Sequence, residues 1–145
     1  DFRGDSYGLS EQAKKTDAEI ILFSSVLFMG ETAKLLNPKK TVLVPSCAGC
    51  SLADSITAQD VRDIRKKHPK AGVVAYINTT AEVKAEVDTC CTSANALRIV
   101  EAMPQQEIIF LPDLLMGKNL QKQTKKILHL WDGVCTVHEH FRPQE

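Results

Sequence analysis

The sequence predicts an α/β protein whose parallel strands are covered by helices on both faces, and three observations carry that reading. Short apolar runs rich in Ile, Val and Leu recur at residues 19–25, 41–44, 71–77, 107–111 and 127–131. Stretches with helical spacing and capping signals lie between them. The Cys, Ser, Asn and His residues gather just past the apolar runs, where α/β proteins hold their ligands. Strands alternating with helices in this way imply parallel sheets in three-layer αβα units.

Composition narrows the function. Among 145 residues, 18 basic and 18 acidic side chains cancel, so nothing points to nucleic acid or an anionic membrane as a partner. The longest apolar stretch, residues 20–29, is broken by Ser24 and Ser25 and is too short to span a bilayer. Five cysteines are an odd number, and their clustering does not read as a secreted disulfide framework. A reducing cytosol with metal-binding or catalytic thiols is the expectation. The chain opens at Asp1 without an initiator Met and reads as an internal fragment of a longer protein.

Taken in order, residues 1–10 hold Gly4 and Gly8 around Asp5-Ser6-Tyr7, with Ser10 the expected cap of a short helix over 11–16. Gly-Asp-Ser at a helix start can offer N–H groups and a hydroxyl to an anion, and a plain turn accounts for the same residues. Residues 19–25 read as a buried strand. Residues 29–36 read as a helix packing through Met29, Ala33, Leu35 and Leu36, stopped by Asn37-Pro38. A second strand over 41–44 ends at Pro45. Cys47 and Cys50 then form a C-x-x-C, open to zinc, dithiol redox chemistry or an iron–sulfur cluster.

Thr57 with Asp60 starts an amphipathic helix over 57–68, with Asp63, Arg65, Lys66 and Lys67 as its solvated face. His68, before Pro69, is expected to face the helix C-terminal dipole rather than a metal. The break over residues 68–72 divides the chain into two α/β units. The third strand ends on Tyr76-Ile77-Asn78, suited either to orienting a polar ligand or to turning the chain. Thr79 with Glu82 predicts a capped helix over 79–88. Thr89-Cys90-Cys91-Thr92-Ser93 leads into a helix over 94–102, with Thr92 and Ser93 as candidate caps able to attract an anion. A fourth strand over 107–111 stops at Pro112-Asp113, and a helix over 114–125 precedes the fifth strand.

Asp132-Gly133 then supplies turn chemistry, the glycine through its tolerance of positive φ. Cys135, His138 and Glu139 follow on one loop, a soft metal ligand, a proton carrier and a carboxylate. A surface turn with an incidental Cys is the plain alternative. Cys50, Asn78, Ser93 and Cys135 all sit after strands or at helix starts, so both units can present them into one cleft.

With these pieces placed, the chain resembles the quinolinate synthase family. The likeness is carried by Gly4-Asp5-Ser6, Ala48-Gly49-Cys50-Ser51-Leu52-Ala53-Asp54, Tyr76-Ile77-Asn78-Thr79, Cys90-Cys91-Thr92-Ser93-Ala94-Asn95 and Gly133-Val134-Cys135-Thr136-Val137-His138-Glu139, and covers essentially all of the chain. It implies a trefoil of three pseudo-symmetric αβα domains. Residues 1–69 would be part of the first domain and 70–145 the second, with the third absent. It also implies condensation of iminoaspartate with dihydroxyacetone phosphate to quinolinate in cytoplasmic NAD biosynthesis. L-aspartate oxidase or aspartate dehydrogenase would be the upstream enzyme.

The same resemblance implies a [4Fe–4S] cluster held by one cysteine per domain, with its fourth iron open to substrate. Cys50 and Cys135 match two ligands, and the third lies outside this chain. Ser6, Tyr76, Ile77, Asn78 and Ser93 match substrate-holding residues. His138 matches a residue near the cluster and is the catalytic candidate. Cys47, Cys90 and Cys91 are not ligands by this mapping, and the chain alone is expected to be inactive. The alternative is a zinc-binding α/β structural or interaction module using Cys47, Cys50, Cys135 and His138, separable from the enzyme by metal content.

Overall fold

A computed structural model of the chain describes residues 2–140. The chain divides into two compact units, Asp1–Cys50 and Ser51–Glu145. The first holds α1 (Ser6–Lys15), β1 (Ile20–Leu22), α2 (Leu27–Leu36) and β2 (Thr41–Leu43). The second holds α3 (Ala58–Lys67), β3 (Gly72–Tyr76), α4 (Ala81–Ala85), β4 (Thr89–Cys91), α5 (Ala96–Ala102), β5 (Glu107–Leu111), α6 (Leu114–Gln121) and β6 (Ile127–Leu130). Short 3-10 turns cover Ala53–Ser55 and His138–His140.

In the first unit, α1 starts earlier than the sequence suggests. The Asp5 side chain caps it by accepting from the Gly8 N–H at 2.6 Å. Ser10 is therefore a buried helical residue, its hydroxyl donating to the Ser6 carbonyl at 3.1 Å. Lys40 closes the other end of α1, donating to the carbonyls of Ala13 and Thr16 that the helix leaves open. Strands β1 and β2 pair in parallel, with Ile21 opposite Val42. The expectation that β1 is buried fails, since Ile20 is 62% and Leu22 69% exposed. In this two-stranded sheet, side chains alternate between faces, and α2 packs on β2 and on α1. The unit's buried apolar residues are Ala13, Phe23, Phe28 and Ala33.

The second unit is a three-layer αβα sandwich. Its sheet has the order β4-β3-β5-β6, with every pair parallel. One face carries Val73, Ala75, Ile109 and Leu111 against Ile56, Val61 and Val83, so α3 and α4 cover it. The opposite face carries Val74, Ile108, Phe110 and Leu128 against Ala96, Val100 and Leu120, so α5 and α6 cover that one. The expected α/β class with parallel sheets is the one observed.

Helix α3 forms as its capping box predicts. The Thr57 hydroxyl accepts from the Asp60 N–H at 3.2 Å, and the Asp60 carboxylate accepts from the Thr57 N–H at 2.8 Å. Arg65 does more than solvate this helix, because it pairs with Asp88 at 2.7 Å and donates to the Glu86 carbonyl. The second capping box does not form as read. Thr80, not Thr79, caps α4, which ends at Ala85. Residues 89–91 form an edge strand rather than a lead into a helix. Thr92 and Ser93 do not cap α5; Asn95 occupies that position, its side chain accepting from the Thr92 N–H at 2.7 Å.

Candidate active site at the carboxyl edge of the second sheet

The strand order creates a switch point. After β3 the chain turns to α4 on one face, and after the neighbouring β5 it turns to α6 on the other. The two connections part beyond the carboxyl ends of β3 and β5, the position at which open α/β sheets bind ligands. Tyr76 ends β3 opposite Cys91, half-buried. Ile77 is buried and donates its N–H to the Cys91 carbonyl at 2.8 Å, while Asn78 is half-buried beyond it. Buried Thr79 folds back, its N–H donating to the Ile77 carbonyl and its hydroxyl to the Tyr76 carbonyl. The Lys84 ammonium donates to the Thr79 carbonyl. Backbone bonds thus hold Tyr76 and Asn78 on a tight turn at the switch point.

The loop after β6 reaches the same edge of the sheet. The Trp131 N–H continues the ladder to the Phe110 carbonyl, and its indole N–H donates to the Ser55 carbonyl at 3.1 Å. Gly133 bridges Asp113, and its carbonyl accepts from the Leu114 N–H at 2.8 Å. The reason for a glycine there differs from the expected one. No described residue has positive φ, but a Cβ on Gly133 would lie 2.4 Å from the Pro112 carbonyl oxygen and 2.5 Å from Ser55 Oγ. Close backbone approach, not turn handedness, demands glycine.

Past that contact, the Thr136 N–H donates to Ser51 Oγ at 3.2 Å, and the two hydroxyls are also 3.2 Å apart. Half-buried Cys135 lies between these anchors, its carbonyl accepting from the Glu139 N–H at 3.1 Å. His138 opens the 3-10 turn, and its side chain lies outside what the structure describes.

The remaining candidate residues belong to other elements. Ser93 is exposed and lines a pocket of about 340 Å³ with Leu97, Met116, Asn119 and Gln123, a lining that does not include Tyr76 or Asn78. Ser6 and Cys50 belong to the first unit, where Ser6 opens α1 and Cys50 is half-buried. A larger cavity in that unit, about 540 Å³, is lined by Phe2, Leu9, Ala13, Ile21 and Phe23 and includes none of the candidates.

A family model described as quinolinate synthetase A protein (NadA) matches residues 1–145. The chain belongs to the quinolinate synthase family. It is 52% identical to quinolinate synthase 2 of Mesorhizobium japonicum, over 100% of this chain and 45% of that protein. It is 51% identical to the quinolinate synthase of a Synechocystis species, over 97% and 45% respectively. Identity to the Geotalea uraniireducens quinolinate synthase is 47%, over 99% and 47%. The chain therefore spans about half the length of the curated relatives it matches.

Within the chain the five cysteines separate by environment. Burial pushes the Cys90 thiol up, and it pushes Cys91 up to about 12, with the neighbouring Cys90 adding to the effect. Cys91 belongs to the core cluster on one face of the sheet, and Cys90 packs against the cluster on the other. Cys47 is exposed, and Cys50 and Cys135 are half-buried; all five are free of disulfides. Sequence inspection missed the Ser51–Thr136 bridge, which joins two of the five motifs across 85 positions without any local signal.

Proposed function

We propose that the protein to which this chain belongs is a quinolinate synthase, condensing iminoaspartate with dihydroxyacetone phosphate and releasing phosphate and water. The observation that carries this is the family match along the whole chain, with Tyr76-Ile77-Asn78 at the switch point of a parallel sheet. Residues 1–69 and 70–145 are read as parts of two family domains, a division by descent distinct from the compact units. Cysteines outside disulfides suit a reducing compartment such as the cytoplasm. L-aspartate oxidase or aspartate dehydrogenase would supply the imine.

The accessible, disulfide-free thiols fit a cluster. Cys50 and Cys135 are the proposed ligands, with a third thiolate from beyond this chain. Each is one residue from a partner in the Ser51–Thr136 bridge, which favours their acting together. When bound, a [4Fe–4S] cluster with one open iron supplies Lewis acidity toward a substrate oxygen. The chain's own residues bind and orient. Tyr76 and Asn78 offer a hydroxyl and an amide to substrate carboxylates, while Ile77, tied to Cys91, keeps their backbone in place. Ser6 and Ser93 would contribute neutral hydroxyl donors, and His138 would carry a proton.

Iron and sulfide content together with quinolinate formation, measured anaerobically on the full-length protein, test this. Cys50→Ala or Cys135→Ala should abolish both, because each removes one of three protein thiolates, whereas Cys47→Ala should leave both largely intact. Loss of metal in Cys47→Ala with retention in Cys135→Ala would overturn the assignment.

A further inference from the structure

We propose that His68, Glu107 and His129 form a binding site for a divalent ion of the zinc class, separate from the candidate active site. The three side chains meet at one face of the second sheet. His129 Nε2 lies 2.8 Å from Glu107 Oε2, and the imidazoles of His68 and His129 stack with centroids 3.7 Å apart and planes 26° from parallel. One potential ligand atom from each residue lies within 4.8 Å of the other two, and all three residues are half-buried.

The fold explains the meeting. Ile109 is opposite His129 and Glu107 opposite Ile127, so Glu107, Ile109 and His129 point to one face by strand alternation. Ile109 packs in the cluster that contains Val61 of α3, so this is the face α3 covers. Helix α3 ends with His68 as its C-cap, the His68 N–H donating to the Ile64 carbonyl at 3.1 Å. The His68 carbonyl accepts from the Ala71 N–H at 3.0 Å. Glu107 opens β5, whereas Asn78 and Cys135 follow the carboxyl ends of their strands, so the trio lies toward the other edge of the sheet.

Two imidazoles and one carboxylate are a zinc donor set that leaves a fourth position for water. Hard ions such as magnesium and calcium prefer oxygen donors throughout. The alternative is a packing group, two stacked rings with a salt-bridged carboxylate. Nearly parallel rings cannot both aim an in-plane lone pair at one ion, so zinc binding requires His68 to turn out of the stack. Its backbone is held at both sides, but its half-exposed side chain can rotate.

The test uses the full-length, cluster-loaded protein carrying Cys47→Ser, with one equivalent of Zn²⁺ as the probe. Zinc-edge X-ray absorption reads the ligands whatever the iron content. The expected first shell is nitrogen and oxygen at about 2.0–2.1 Å, without sulfur at about 2.3 Å. Equilibrium dialysis should show affinity falling more than about tenfold in His68→Ala, His129→Ala and Glu107→Gln, since even outer partners of metal ligands are worth about 10–100-fold. His140→Ala should bind normally. Absence of binding, a sulfur-dominated shell, or unchanged affinity in His68→Ala and Glu107→Gln would overturn the site. Those two substitutions, at a half-exposed helix end and a strand start, decide the matter even if His129→Ala fails to fold.

Discussion

Gly133 and Asn78 stand at the two ends of the residue scale, one constrained by space and the other by chemistry. A methyl group at 133 would press on the Pro112 carbonyl, which is backbone, and on Ser55 Oγ, which is held by its bond to the Leu52 carbonyl at 2.8 Å. Gly133→Ala should therefore cost about 1–3 kcal/mol of stability, the usual range for forcing extra volume into a packed site. Urea unfolding measures this, and a variant as stable as the parent would show that the loop yields freely. Asn78 sits on a turn held by the backbone bonds of Ile77 and Thr79 and by the Thr79 hydroxyl. In the full-length enzyme Asn78→Ala should lower kcat/KM by a factor corresponding to about 1.5–3 kcal/mol, the worth of a hydrogen bond to a charged group. The circular dichroism spectrum should stay unchanged. Unaltered kinetics would return Asn78 to a turn-forming role.

At the scale of elements, Asp88 joins three of them. Its carboxylate accepts from the Val73 N–H at 2.7 Å at the start of β3 and from Arg65 of α3 at 2.7 Å, and its own N–H donates to the Val73 carbonyl. Burial opposes its charge, yet the bonds from Arg65 and Val73 and the guanidinium charge outweigh burial and hold the carboxyl below its usual value of 3.8. A carboxyl with a lowered folded-state pKa stabilises the fold above its unfolded value and loses that contribution as pH falls through the folded value. Asp88→Asn should thus be less stable than the parent at about pH 7, with the gap closing toward about pH 3 and below as the carboxyl protonates. Urea midpoints at the two pH values check this, and a gap that does not change would place the effect in shape rather than charge. The bond network also accounts for β4. Its three residues Thr89–Cys91 lack an apolar run, but Asp88 docks the chain beside β3 just before they begin.

For the whole molecule, the second unit has apolar clusters on both faces of its sheet, whereas the first has a two-stranded sheet with Ile20 and Leu22 largely exposed. The chain covers about half the length of its curated relatives, for example 45% of the Mesorhizobium japonicum quinolinate synthase 2. Two of the proposed cluster thiolates and five candidate substrate-binding residues come from these 145 residues. No helix among the described residues is long and apolar enough to cross a membrane. The proposed three-thiolate centre, drawn from separate parts of a chain, would make metal content a property of the complete protein, so the cysteine substitutions belong in the full-length background.

The sequence by itself determined the features whose causes are local. The Thr57–Asp60 capping box depends on groups three residues apart and formed as expected. Strand β5, a continuous apolar run closed by Pro112, has the expected bounds. The five motifs were enough to indicate the family that the whole-chain match supports. Only tertiary structure decided the rest. Thr79 and Thr80 offer the same hydroxyl one residue apart, and the turn after β3 buries the first while leaving the second to cap α4. The order β4-β3-β5-β6, which creates the switch point, follows from how two helices share each face of the sheet. The Ser51–Thr136 bridge and the stack of His68 on His129 join residues remote in sequence. Such contacts form because burial of the core brings their elements together, and no pattern within a few residues of either partner announces them.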